Sequence, residues 1–135
     1  MRYSFWVSVL LLLVLLHTPN QAQNTSLLYL DTAFSYIGVK EATGKNDGVE
    51  VERFLKSVGR KKGDSWCAAF VSYCLTATNH PFPVRSGLAR SFVKKTSLLA
   101  THVLQGRKQV EIGDLIIWQN GNTISGHIGI VTIVD

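Results

Sequence analysis

Apolar residues recur at two different periods along the chain, and the change of period divides it. From Ser26 to Ile37 (SLLYLDTAFSYI), Leu27, Leu30, Phe34 and Ile37 fall at helical spacing, with Gly38 as a stop. The stretch GVKEATGKNDG that follows is polar and glycine-rich, the composition of a loop. A second helix is predicted over Val49–Val58, where Val51, Phe54, Leu55 and Val58 share one face and Gly59 ends the run. A third is predicted from Trp66 to Ala77, capped by Asp64 or Ser65, with Ala69, Phe70, Tyr73 and Ala77 on its apolar side. Asn79-His-Pro-Phe-Pro83 ends it; Ser86–Lys95 reads as a shorter helix, and Ser97–Lys108 follows neither period. Beyond Val110 the pattern becomes that of strands: a turn over Val110–Asp114, a buried strand over Leu115–Trp118, an Asn-Gly turn within Gln119–Asn122, and a strand over Gly126–Val134. Helices followed by an antiparallel hairpin define an α+β domain. A two-stranded sheet is marginal by itself, so the expectation is a domain truncated at its C-terminus, with further strands beyond Asp135.

The first residues, MRYSFWVSVLLLLVLLHTPNQAQ, combine one arginine with an apolar run from Val7 to Leu16 broken only by Ser8, then a polar stretch containing Ala22. That is the layout of a secretory signal peptide, and the run is short for a membrane span. Residues 1–23 are expected to be a cleaved leader and 24–135 the functional domain. The mature chain is then secreted or periplasmic and keeps no stable membrane anchor; an uncleaved anchor is the alternative.

With 135 residues, 46% apolar and 17% charged, the chain has the composition of one globular domain. Loss of a leader ending at Gln23 removes Arg2 alone among charged residues and takes the formal charge from +5 to +4. This leans toward anionic surroundings such as a cell wall and falls short of a nucleic-acid footprint. The basic runs Arg60-Lys61-Lys62 and Lys94-Lys95 read as solvated surface rather than a binding patch. No zinc spacing, phosphate loop or dinucleotide fingerprint is present, and the polar loop at Glu41, Asn46 and Asp47 lacks the alternating carboxylates of a calcium loop, so neither metal nor cofactor is expected.

Two cysteines occur, Cys67 and Cys74, within GDSWCAAFVSYC. Seven residues along a helix rise about 10 Å, beyond the roughly 7 Å that a disulfide tolerates between Cα atoms. Both thiols are therefore expected to be free. Cys74 on a buried face behaves as a small hydrophobe. Cys67 sits in a first helical turn, where unpaired amides and the positive end of the helix dipole favour a thiolate and could also hold an oxyanion. His127, after Gly126 at the start of a β-branched strand, is the base best presented to it. The pair has the arrangement of a nucleophile and base, although a core cysteine and a structural histidine would leave the same letters.

GDSWCAAFVSYCL followed by EIGDLIIWQNGNTISGHIGIV resembles the CHAP family of cysteine, histidine-dependent amidohydrolases/peptidases, in the papain-like NlpC-type superfamily. The likeness lies in Trp-Cys-Ala-x-Phe-Val, the Gly-Asp pair before a strand, and Gly-His-Ile-Gly-Ile-Val, with GVKEATGKNDGVEVERFLKSVG similar to the leading segment of one bacterial subgroup. It implies a papain-like α+β fold in which N-terminal helices pack on a small antiparallel sheet. It further implies Cys67 as nucleophile and His127 as general base, acting through a thioester on amide or peptide bonds of peptidoglycan. Members usually carry a third polar residue on the strand after the histidine, which this chain does not reach. Trp66, ahead of Trp118 and Tyr73, is a candidate for the substrate groove, with a core role as the alternative. A non-catalytic wall-binding module on the same fold, or an amidase for another substrate, are the rival readings.

Overall fold

The computed structural model describes residues 21–134. The expected leader lies outside the described residues except for its last three positions, which open the first helix. In chain order the elements are α1 (Gln21–Ser35), α2 (Val49–Ser57), α3 (Cys67–Ala77), a 3-10 turn (Ala89–Phe92), α4 (Ala100–Leu104), β1 (Leu115–Gln119) and β2 (Gly126–Ile130). The fold is α+β: helices followed by one antiparallel ribbon, as the change of period predicts. Among the described residues no helix is long and apolar enough to cross a membrane.

Helix α3 is the centre of the fold because both of its sides are covered. Ala69 packs with Val51, Phe54 and Leu55 of α2, all fully buried, and Phe70 and Tyr73 border the same cluster. Ala68, Val71, Cys74 and Leu75 face the other way, against Tyr29 and Leu30 of α1, Phe92 of the 3-10 turn and Ile128 of β2. A helix apolar on most of its circumference is one that a small domain buries. Each large side chain so enclosed contributes about 1.5–3 kcal/mol.

Several details depart from the sequence pattern. In α1 the buried face is Tyr29–Leu30, while Leu27 and Phe34 are 48% and 46% exposed, as is Ile37 just beyond the helix at 78%. The helix is turned this way by Tyr29, whose hydroxyl donates to the carbonyl of Gly113 and so ties α1 to the turn before β1. Neither Asp64 nor Ser65 caps α3; Trp66 is the N-cap, and Asp64 instead accepts the Lys61 N–H (3.2 Å) to close the preceding turn. The helix predicted over 86–95 shrinks to four residues because serine hydroxyls satisfy the backbone first. Ser72 Oγ accepts the Ser86 N–H (2.8 Å) and donates to the Ser86 carbonyl (2.9 Å), and Ser86 Oγ accepts the Leu88 N–H (3.1 Å). The first strand is not buried as expected: Leu115 and Ile117 pack against the core while Ile116 and Trp118 face outward, because alternate residues of a strand point to opposite faces; the second strand stops at Ile130, short of Val134.

Candidate active site

The chain leading into α3 is built to hold its start in place. Gly59 and Gly63 take φ values of 70° and 93°, positions that suit glycine, and allow two tight reversals between α2 and α3. Asn46 reaches across from the polar loop after α1: its carbonyl accepts the Gly63 N–H (3.1 Å) and its side-chain amide donates to the Gly63 carbonyl (3.2 Å). Inside that loop the buried Asp47 carboxylate accepts the Thr43 hydroxyl (2.8 Å) and the Thr43 N–H (2.9 Å), which hold it below the usual carboxylate range. Lys62 pairs with Asp47 at 3.7 Å and with Glu52 at 3.3 Å, so part of the basic run is a tether between loops. Turn chemistry within the loop accounts for Asn46 and Asp47. Glu41 does something more: its carboxylate accepts the Asn46 N–H (2.9 Å) and the Trp66 indole N–H (3.0 Å), which together hold its carboxyl below the ordinary range.

Cys67 is the first residue of α3. The carbonyl of Trp66 accepts the first helical bond, from Phe70 at 2.8 Å, which leaves the N–H groups of Cys67, Ala68 and Ala69 without an acceptor in the helix. Cys67 is half-buried, whereas Cys74 is fully enclosed, and both thiols are free. Burial pushes the Cys74 thiol up to about 12, which makes it inert at neutral pH.

His127 lies on β2, paired across the ribbon with Trp118, whose ring centroid stands 5.5 Å from the imidazole at a 36° tilt. Ile128 turns into the core and the His127 ring points away from it, exposed. The ribbon approaches closely just before the histidine. A Cβ on Gly126 would stand 2.6 Å from the Trp118 carbonyl oxygen, so only glycine fits there. Arg90 donates to the Thr123 carbonyl and anchors the β1–β2 connection, which runs from 120 to 125 and is longer than the turn predicted around Asn120-Gly121.

A cleft of about 840 Å³ lies between these parts, with Cys67, Trp66 and Glu41 on one side and His127 on another. The two sequence-nominated catalytic residues thus border one space, with no hydrogen bond between thiol and imidazole among the described residues. Trp66 contributes to the wall, its ring stacked on Phe54 (6.1 Å, 27°) and edge-on to Phe70 (6.3 Å, 75°). It belongs to the aromatic cluster and to the cleft at once. The walls are mostly apolar and carry few polar groups, the usual character of a ligand site. Among the described residues no group of three or more His, Cys, Asp or Glu side chains could hold a metal ion. What the sequence does not show is the partner of each: the bond of Glu41 to Trp66, across 25 residues, and the nearness of Trp118 to His127, set by the register of the ribbon.

A family model described as CHAP domain matches residues 59–135, more than half of the chain. No curated protein and no solved structure matches the chain.

Proposed function

This chain belongs to the CHAP domain family, whose activity is hydrolytic, of the amidase and peptidase kind that acts on peptidoglycan, and from that premise we propose that Cys67 and His127 are its nucleophile and general base. The observation that supports the reading most is the placement of Cys67 at the first position of α3, bordering the same cleft as His127.

The chemistry needs one proton shuttle and one oxyanion site. The imidazole takes the proton of the Cys67 thiol, and the sulfur attacks the carbonyl carbon of a bound amide. The N–H groups at the start of α3 face the charge that develops on the carbonyl oxygen. Collapse breaks the C–N bond, and the imidazolium gives its proton to the departing amine, leaving a thioester on Cys67. Water, deprotonated by the imidazole, then attacks the thioester; the acid departs and the thiol recovers its proton. Catalytic hydrogen bonds are often long in a substrate-free site and tighten around the substrate, so a cleft shared by thiol and imidazole is compatible with this sequence of steps.

The leader-like residues 1–23 support the reading of an exported enzyme that acts on peptidoglycan in the periplasm or the medium. Mass spectrometry of the intact protein after brief mixing with peptidoglycan fragments tests the covalent step. An acyl adduct is expected on Cys67 that is absent from Cys67→Ser and accumulates more slowly in His127→Ala; an unmodified protein that nonetheless releases product would count against the thioester route.

A further inference from the structure

We propose that Glu41 is a positioning residue for this cleft, holding the indole of Trp66 where a bound substrate meets it. The inference rests on the reading of the cleft as the hydrolytic site. Trp66 stacks on Phe54, a contact that resists tilting and permits sliding of one ring over the other. Its one polar handle is the indole N–H, and Glu41 takes it at 3.0 Å. The other carboxylate oxygen is occupied by the Asn46 N–H at 2.9 Å, so the acid itself is aimed from two directions. Asn46 is in turn joined to Gly63 by the pair of bonds at 3.1 and 3.2 Å, which ties the loop carrying Glu41 to the segment that enters α3.

Trp66 is also the residue whose carbonyl accepts the first bond of α3 and whose chain neighbour is Cys67. A shift of the indole would therefore move a wall of the cleft beside the nucleophile. The Asn46 and Trp66 N–H groups hold the Glu41 carboxyl below the ordinary range, so it meets Trp66 as a charged acceptor, the stronger kind of hydrogen bond. A glutamine would present one acceptor and one donor to two N–H groups, so one of the two bonds must be lost.

The test joins a spectroscopic and a kinetic readout. The Trp66 indole N–H resonance is identified by its disappearance in Trp66→Phe. In the unmodified protein it should shift as Glu41 is titrated at acid pH; in Glu41→Gln that shift should vanish while the melting temperature of the variant stays close to that of the parent. Asp47, the neighbouring acid, remains in both proteins and serves as the internal control. With peptidoglycan fragments as substrate, Glu41→Gln should lower kcat/KM by about tenfold, the scale of one hydrogen bond to a charged group, mainly through KM. In a Trp66→Phe background the same substitution should cost little. An indole resonance indifferent to Glu41→Gln, or two substitutions whose effects simply multiply, would overturn the proposal. A protein that cleaves no peptidoglycan would defeat the functional reading, and the resonance would still decide the role of Glu41.

Discussion

Trp118 stands directly across the ribbon from His127, and its indole is the aromatic neighbour against which the imidazole rests, 5.5 Å away between ring centroids. The tryptophan is 52% exposed, so it contributes more to the orientation of the histidine than to the core. Trp118→Leu should lower kcat/KM by roughly two- to twelvefold, the worth of an aromatic pair at about 0.5–1.5 kcal/mol. Thermal melting of the variant should change little. A variant with full activity would show that Trp118 does not hold the imidazole.

Gly126 and Gly129 flank the histidine with opposite tolerances. Gly126→Ala drives a methyl against the Trp118 carbonyl and should destabilise the ribbon by about 1–3 kcal/mol while displacing His127. At Gly129 an added Cβ meets nothing closer than 3.5 Å, so Gly129→Ala should melt at or slightly above the parent temperature. Denaturant unfolding of the two variants side by side checks the contrast, and equal stabilities would contradict it.

The two cysteines should separate in reactivity. At neutral pH an alkylating reagent should modify Cys67 and leave Cys74 untouched until the protein unfolds, since burial pushes the latter up to about 12. Cys74→Ser places a hydroxyl in an apolar cluster and should cost about 1–3 kcal/mol of stability without changing activity per folded molecule. Because the folded thiol titrates above its unfolded value, Cys74 stabilises the fold fully below about pH 8.5 and loses that contribution as pH rises toward about 12. Cys74→Ala should flatten this alkaline loss in melting curves, leaving the part due to Tyr29, which burial also pushes up to about 12.

His80 gives the opposite dependence. Its Nδ1 accepts the Phe82 N–H at 3.2 Å and its ring lies edge-on to Tyr29, 5.0 Å between centroids. Burial, and then the nearby Arg85, hold its pKa below the ordinary value. The unfolded chain therefore binds the proton more readily. Stability from the neutral ring is present above about pH 6.5 and falls as the pH drops from there through the folded value. An asparagine can accept the same N–H without titrating, so His80→Asn should melt with a weaker dependence on pH below about 6.5. An unchanged slope would exclude His80 as its source.

Periodicity was enough to find α2, α3 and the ribbon, because each is an apolar run bounded by glycines or polar turns; on α3 it chose the wrong edge, since Val71, Cys74 and Leu75 are buried while Phe70 and Tyr73 are half-buried and Ala77 is exposed. It misplaced the buried face of α1 because Tyr29 is amphipathic: the ring goes inward while its hydroxyl finds the Gly113 carbonyl, a partner 84 positions away. It overextended the segment after Ser86 because the competing hydroxyl of Ser72 comes from another element. Cys67 and His127 could be nominated because their local settings, a helix start and a strand start, suit their chemistry. Glu41 could not, since nothing in GVKEATGKNDG marks one carboxylate as the partner of an indole in the following helix approach.

Release of soluble fragments from purified peptidoglycan, with the new ends identified by mass spectrometry, bears most directly on the central claim. Fragments released by the protein and absent from Cys67→Ala and His127→Ala, each variant folded by circular dichroism, are the predicted result, and the new ends name the bond. Equal release by the parent and by Cys67→Ala would contradict a cysteine nucleophile at the start of α3.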